Sequence, residues 1–284
     1  MPALPTDSRP CTDLPLVLVS WDGDDLPLRM VHLDTTPQFR FLVFDYTGRC
    51  QDERLQVAGV DCSVMAHKTE CKGDIYQIMA AHLEALEVWP EYVALIDDDI
   101  LLSISDINRL LHVARVAALD SFAPVLAHDC HWGHRWTLRQ GDRLLLPVDW
   151  VEVMMPFYRT PLFMAGRELY EGRISSYGID KYAMTTVQKL TGMDHVALVN
   201  GVVASHMRPI STGAGRRYRN GLTGDEEKAQ LREQCMALVR RLAPDLKDSA
   251  WWRRTFEQRH VRSFGQRMLA GLGRPIRHWL ERAT

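Results

Sequence analysis

Three consecutive carboxylates, Asp97, Asp98 and Asp99, close the apolar run from Tyr92 to Ile96. Adjacent carboxylates repel, and keeping them ionised near a core is unfavourable without a counter-charge. A divalent cation shared with a phosphorylated ligand supplies that charge and takes oxygen ligands. A run of this length and β-branched content reads as a buried strand. Ligands of open α/β sheets lie beyond the carboxyl ends of strands, which is where the triplet falls. The alternative is a solvated turn before the segment that follows Ser103, and the residues alone leave both readings open.

Other side chains suit the same chemistry. Glu152 sits in an apolar run with Val151, Val153, Met154 and Met155. Burial there would raise its pKa towards the range useful to a general base, unless Arg159 or another arginine pairs with it. Asp180 follows Gly178 and precedes a helix candidate, Lys181 to Leu190, so it reads as an N-cap, a base or both. Asp22 and Asp45 each stand just beyond a strand, as nucleoside contacts would. The glycine-rich loop 211–221 carries Arg216, Arg217 and Arg219. It reads as a lid over a diphosphate or as a solvated linker. The cluster His128, Cys130, His131 and His134 lacks the two-plus-two spacing of structural zinc sites. It reads better as a polar acceptor loop whose Trp132 and Trp136 stack on a sugar ring.

The elements that must position these groups alternate between strand and helix. Leu14 to Ser20 and Phe39 to Asp45 read as buried strands, each ending in polar residues. Residues 74–88 place Ile75, Ile78, Met79, Leu83 and Leu86 on one helical face with Asp74 at the cap, and a second helix follows near 106–116. This alternation implies a largely parallel sheet flanked by helices. After residue 120 the apolar pieces Phe122 to Ala127, Val148 to Phe157 and His195 to Ser205 predict a mixed second half. Thr223 and Glu226 form a capping-box pattern ahead of Leu231, Cys235, Leu238, Val239 and Leu242. The expected organisation is a loose leader at 1–13, a catalytic domain at 14–222 (nucleotide-binding half 14–120, acceptor half 121–222), and a C-terminal helical region at 223–284.

With 284 residues, 46% of them hydrophobic and 25% charged, the chain has the composition of a globular protein with a sizeable core. Net charge is −2, yet residues 251–284 hold eight arginines against Glu257 and Glu281, a local +6 that leaves −8 on the remainder. An acidic body argues against nucleic-acid binding, while the basic tail calls for its own anionic partner. Trp251, Trp252, Phe264, Met268, Leu269, Leu272, Ile276, Trp279 and Leu280 interleave with those arginines. That pattern suits an amphipathic element on an anionic membrane face, a fold-back onto the domain, or a dimer contact. Six scattered cysteines without a C-x-x-C pair, no signal-peptide pattern and no membrane-length apolar run predict a cytoplasmic protein, peripheral at the inner face of the membrane.

The motifs also occur in a recognisable order: Phe44 to Gly48, Lys72 to Ile75, Tyr92 to Ile100, Val151 to Arg159, Ser176 to Asp180 and Val202 to His206. Together they resemble the GT-A glycosyltransferase fold and, within it, the DUF707 family, over roughly residues 14–210. Tyr177 stands where that family's pattern usually has Trp, which leaves the acceptor open. The resemblance implies an α/β, Rossmann-like mixed sheet flanked by helices in a single catalytic domain. It also implies a nucleotide-sugar donor whose diphosphate is bridged by Mn²⁺ or Mg²⁺. Asp97 and Asp99 match an Asp-x-Asp motif, with Asp99 the direct metal ligand and Asp97 nearer the ribose, and His206 matches the histidine that completes the metal site. A histidine ligand tilts preference towards Mn²⁺. Lys72 joins Asp22, Asp45, Asp97, Arg216 and Arg217 on the donor side. Asp180 matches the catalytic base of inverting members, leaving Glu152 to contact acceptor or sugar.

The expected function is therefore metal-dependent sugar transfer to a cell-surface glycan or lipid-linked acceptor, with inversion. A metal-dependent phosphohydrolase is a rival, although Ile100 and Leu101 occupy positions where such enzymes carry Thr or Ser. An inactive nucleotide- or sugar-binding scaffold is another.

Overall fold

The computed structural model describes residues 4, 9–12, 14–24, 26–210 and 215–257. The leader and the basic tail expected from the sequence lie largely outside these residues. The chain divides into two compact units, Met1–Pro244 and Asp245–Thr284.

In the first unit the strands and helices run in this order: β1 (Cys11–Thr12), β2 (Leu16–Trp21), β3 (Val31–His32), β4 (Arg40–Asp45), β5 (Arg54–Val57), β6 (Val60–Ala66), α1 (Lys72–Glu84), β7 (Trp89–Pro90), β8 (Tyr92–Ile96), β9 (Ile100–Ser103) and α2 (Ile104–Val116). The second half contains β10 (Ser121–Leu126), β11 (Leu145–Pro147), β12 (Phe157–Arg159), α3 (Thr160–Ala165), α4 (Arg167–Tyr170), α5 (Thr185–Thr191), β13 (Val196–His206) and α6 (Gly224–Leu242). The main sheet has the order β3-β9-β13-β10-β12-β8-β2-β4-β6-β5, with β11 beside β13.

Strands β8, β2, β4 and β6 are mutually parallel. Every residue of β2 and β8 is buried, as expected of parallel strands covered on both faces. The second half is mixed: β12 runs antiparallel to both β8 and β10, while β10 and β13 are parallel. The parallel arrangement predicted from strand–helix alternation therefore holds for β8, β2, β4 and β6 and gives way to antiparallel pairing at β5 on one side and β12 on the other.

Two local features aim side chains at the functional end. The register of β10 against β13 breaks between Pro124 and Val125, jumping from Val199 to Val203. Residues 200–202 bulge out there, and Asn200 Nδ2 donates to the carbonyls of Gln140, Gly141 and Arg143 at 2.8, 3.3 and 2.8 Å. Beyond the bulge β13 pairs with β9, setting His206 opposite Ile100 and next to the carboxylate triplet. The second feature is a close approach: a Cβ on Gly73 would lie 2.4–2.6 Å from the carbonyls of Arg173, Ile174 and Ser175, so only glycine lets the start of α1 meet that loop.

Several boundaries differ from expectation. Cys71, not Asp74, caps α1. Asp74 instead accepts Glu70 N–H at 2.8 Å and is clamped by the Arg219 guanidinium. Part of the expected leader is anchored: β1 pairs with β7, and Arg9 donates to the carbonyls of Glu84 and Leu86 while lying over Trp89. The capping box forms as expected, Thr223 and Glu226 exchanging bonds. Helix α6, grouped with the tail in the sequence reading, belongs to the first unit. The reason is Glu227, 1% exposed, which accepts from Ile174 N, Ser175 N, Ser175 Oγ and Asn220 Nδ2 at 3.1, 2.8, 2.5 and 2.6 Å.

In the second unit, Trp252 Nε1 donates to Glu257 at 2.8 Å and its ring packs on Phe256. All six cysteines are unbonded to one another, and no described helix is long and apolar enough to cross a membrane.

Removing the Glu227 carboxylate strands three buried donors and frees the exposed Asn220. Glu227→Ala should cost about 2–4 kcal/mol in urea unfolding, with Glu227→Gln recovering part of the loss. Equal stability of Glu227→Ala and the parent would show that α6 is held by its apolar face alone.

Candidate active site

The triplet leaves β8 in a turn secured by Asp97 N–H to Met154 O at 2.9 Å and Ile100 N–H to Asp97 O at 3.2 Å. Its three carboxylates face three different partners. Asp97 Oδ1 takes Lys72 Nζ at 2.6 Å, and the same ammonium donates to Leu95 O at 3.1 Å. Burial pushes the Asp97 carboxyl up to about 6 against the pull of Lys72. Asp98 accepts Tyr46 Oη at 3.1 Å and lies 3.3 Å from Arg208 and 3.7 Å from Arg29. Asp99 Oδ2 stands 3.3 Å from His206 Nε2.

The Asp99–His206 contact has a defined proton arrangement. His206 Nδ1 lies 2.9 Å from His131 O, and a carbonyl only accepts, so Nδ1 carries hydrogen. His131 N–H returns a bond to His206 O at 3.0 Å, clamping the residue. A neutral imidazole would therefore aim the Nε2 lone pair at the Asp99 carboxylate. Burial disfavours the charge on His206, but its bond to Asp99 outweighs this and raises its pKa. Burial likewise opposes ionisation of Asp99, and His206 overcomes it. Asp99 Oδ1 is buried with no hydrogen-bond partner.

A cavity of about 200 Å³ opens beside the triplet, lined by Ser20, Tyr46, Thr69, Glu70, Cys71, Lys72, Ile75, Asp97 and Asp98. It lies at the carboxyl ends of β2, β4 and β8 and at the start of α1. The Ser20 hydroxyl is buried there without a partner.

The second acid pair is Glu152 and Asp180. Glu152 is 9% exposed, its Oε2 has no hydrogen-bond partner, and its Oε1 lies 3.6 Å from His134 Nε2. Burial, and then the negative charge of Asp180, push its carboxyl up to about 8. Asp180 follows Gly178, whose φ of 89° turns the chain into a π-helical stretch, Ile179–Met184. It accepts Lys181 N–H at 2.7 Å. Burial raises its carboxyl to about 6, tempered by that bond and by Lys228.

The remaining expected residues are placed as follows. Asp45 is fully buried, and its oxygens accept Thr47 N and Oγ1, Arg49 N and Cys50 N, so it holds the turn that carries Tyr46. Asp22 pairs with Arg29. Arg216 reaches the cavity rim through Glu70 at 3.6 Å. Arg217 binds Gly221 O and Glu226 near the start of α6, away from the cavity. Among the described residues no group of three or more His, Cys, Asp and Glu side chains is arranged to hold a metal ion. Asp99 and His206 come together, while Asp97 is turned to Lys72. In the histidine–cysteine cluster, His128 bonds Arg139 O, Cys130 bonds Ala127 O and His134 faces Glu152.

Sequence reasoning missed Tyr46, Arg29, Arg208 and Ser20. Arg208 lies two residues beyond His206 and Tyr46 directly follows Asp45, so both carried a positional signal. Arg29 carried none.

Neither a protein-family model nor a curated protein sequence matches the chain. Its structure is similar to that of S. aureus TarS residues 1–349 in complex with UDP-GlcNAc, with a TM-score of 0.54 and 11% identity over 95% of this chain and 79% of that one. The same TarS segment with UDP gives 0.48 at 10% identity, covering 93% and 76% of the two chains. Crystallised without a named ligand, it gives 0.49 at 11%, covering 94% and 78%. The chain thus shares the mixed α/β fold of that TarS segment, a large central sheet flanked by helices.

Burial of Glu152 has a measurable consequence. As pH rises past about 4.5 the unfolded chain releases this proton while the native state keeps it to about 8. The native state then binds more protons, so Glu152 lowers stability progressively across that window. Glu152→Gln should gain roughly 2–4 kcal/mol over the parent at pH 8 and nothing at pH 4. A difference that does not change with pH would place Glu152 in a solvated setting.

Proposed function

We propose that this protein is a GT-A-type glycosyltransferase that moves a sugar from a nucleoside-diphosphate donor to a hydroxyl acceptor. The observation that carries the reading is the Asp99–His206 pair beside the cavity. Asp99 Oδ1 is buried and partnerless, while its Oδ2 lies 3.3 Å from the Nε2 of an imidazole whose tautomer is set by His131 O. Metal-binding histidines characteristically bond a backbone carbonyl through their other nitrogen. Asp99 and His206 are the residues that would hold Mn²⁺ or Mg²⁺. Once bound, the cation acts as a Lewis acid for the departing diphosphate. Lys72, anchored on Asp97 and Leu95 O, adds a fixed positive charge at the cavity floor, and the donor's nucleotide occupies the cavity itself. TarS was crystallised with UDP-GlcNAc and with UDP, which makes uridine nucleotides the first donors to test.

The acid pair divides the proton work. In the transfer, the acceptor oxygen forms a bond to the anomeric carbon as the bond from that carbon to the diphosphate oxygen breaks. The hydroxyl proton passes to a carboxylate. Asp180, at about 6, is mostly ionised near neutrality and suits the base; Glu152, at about 8, is mostly protonated and suits a hydrogen bond to acceptor or sugar. A carboxylate base supports inversion. The finer DUF707 resemblance rests on the ordered motifs alone. The basic aromatic composition of residues 251–284 supports a glycan or lipid-linked acceptor at the cytoplasmic face of a membrane.

Thermal-shift screening of nucleoside diphosphates and nucleotide sugars, with and without Mn²⁺, should identify a donor that raises the melting temperature. Release of nucleoside diphosphate from it should require the divalent cation and fall about 10²-fold or more in Asp99→Ala. Asp180→Asn should lower kcat by about 10²–10⁴ with donor affinity kept. No stabilisation by any nucleotide would overturn the reading, and acceptor-independent hydrolysis of simple phosphate esters would favour a phosphohydrolase.

A further inference from the structure

Beside the acid pair, outside the donor cavity, three half-buried rings are gathered. The His134 imidazole stacks on Trp136 with centroids 5.7 Å apart and an interplanar angle of 23°. Trp150 meets His134 edge-on at 5.2 Å and Trp136 at 4.9 Å. The sequence placed His134 in an acceptor loop with Trp132 and Trp136 as the rings to stack on a sugar; Trp150 was not expected, because only the tertiary fold brings it beside them. Under this cluster lies Glu152, with Oε1 3.6 Å from His134 and Oε2 buried without a partner. Gly133 is exposed, and a Cβ there would stand 3.0 Å from Glu152 Oε1. Glycine at 133 therefore leaves the approach to this carboxyl open, where any side chain would crowd it.

These features select a ligand chemistry. A partnerless buried carboxyl oxygen is costly and calls for a hydrogen-bonding ligand, which excludes a purely alkyl occupant. Negative charge on Asp180 next to Glu152 disfavours an anionic one. Indole rings offer large apolar faces to a ligand with an apolar side. A pyranose combines a C–H face with a rim of hydroxyls and carries no charge.

We propose that Trp136, Trp150, His134 and Glu152 form the acceptor subsite, and that it takes an uncharged pyranose ring with one face on the indoles and one hydroxyl on Glu152. The assignment rests on the transferase reading and names the acceptor class for it. The ring sits over the same carboxyl pair that must receive the hydroxyl proton, so binding and proton transfer are placed together.

The test uses the full chain and the methyl glycosides of glucose, galactose, mannose and N-acetylglucosamine, with binding followed by saturation-transfer NMR. At least one glycoside should bind, and Trp136→Ala and Trp150→Ala should each weaken it tenfold or more. Trp136→Phe, which keeps an aromatic face and guards against a folding defect, should stay within threefold. Failure of all four glycosides to bind, or equal binding by the parent and both alanine variants, would overturn the subsite. UDP binding, followed by thermal shift in the same samples, reports on the transferase reading separately. Glycoside binding without UDP binding would leave a sugar site and remove the transferase; UDP binding without glycoside binding would do the reverse.

Discussion

Three adjacent carboxylates at the end of a fully buried strand can coexist only if each finds its own counter-partner, and the fold is organised around meeting that demand. Lys72 comes from the first residue of α1, Tyr46 from the turn after β4, Arg208 from beyond β13, and His206 from the end of β13. The partners come from α1, the turn after β4 and the end of β13, so the triplet ties the parallel strands of the sheet to the mixed ones. Removing Lys72 or His206 would leave Asp97 or Asp99 without its counter-partner, which is more costly than losing a surface ion pair, whereas Asp98 shares three partners.

The two acidic clusters contrast in how their charge is handled. In the triplet, cations and a phenol sit at short range. In the Glu152–Asp180 pair, burial dominates and the neighbouring charge raises the Glu152 carboxyl further. One cluster is built to meet negative charge through cations, the other to hold a proton near neutrality. The bulge at residues 200–202 resets the register of β13 against β10, and the far end of β13 pairs with β9 on its other edge, which sets His206 beside Asp99.

Much of the first half was legible because buried parallel strands are short, continuous apolar runs. β2, β4 and β8 fall within a residue or two of the runs that predicted them, and their polar ends mark the cavity. β9 was hidden, since Ile100 to Ser103 follows the triplet directly and resembles a lead-in to α2. The arginines of the glycine-rich loop were legible as cations but not as to their partners: Arg219 clamps Asp74 and also meets Glu70, Arg217 holds the start of α6, and Arg216 reaches the cavity rim through Glu70. Asp45 looked like a ligand contact, yet its four bonds to the following turn occupy it entirely.

From the residues alone came the element types of the first half, the carboxylate triplet at a strand end, the capping box of α6 and the candidacy of Glu152 and Asp180, because local periodicity and residue chemistry encode these; His206 came from the order of motifs in the family resemblance. Pairing belongs to the tertiary structure: that Asp97 turns to Lys72 and Asp99 to His206, that Glu152 is buried against Asp180, and that Trp150 joins His134 and Trp136. Those contacts join residues up to 110 positions apart in the chain, as Arg208 and Asp98 are. Such proximity arises from strand order, register and a single bulge, which no short window of sequence contains.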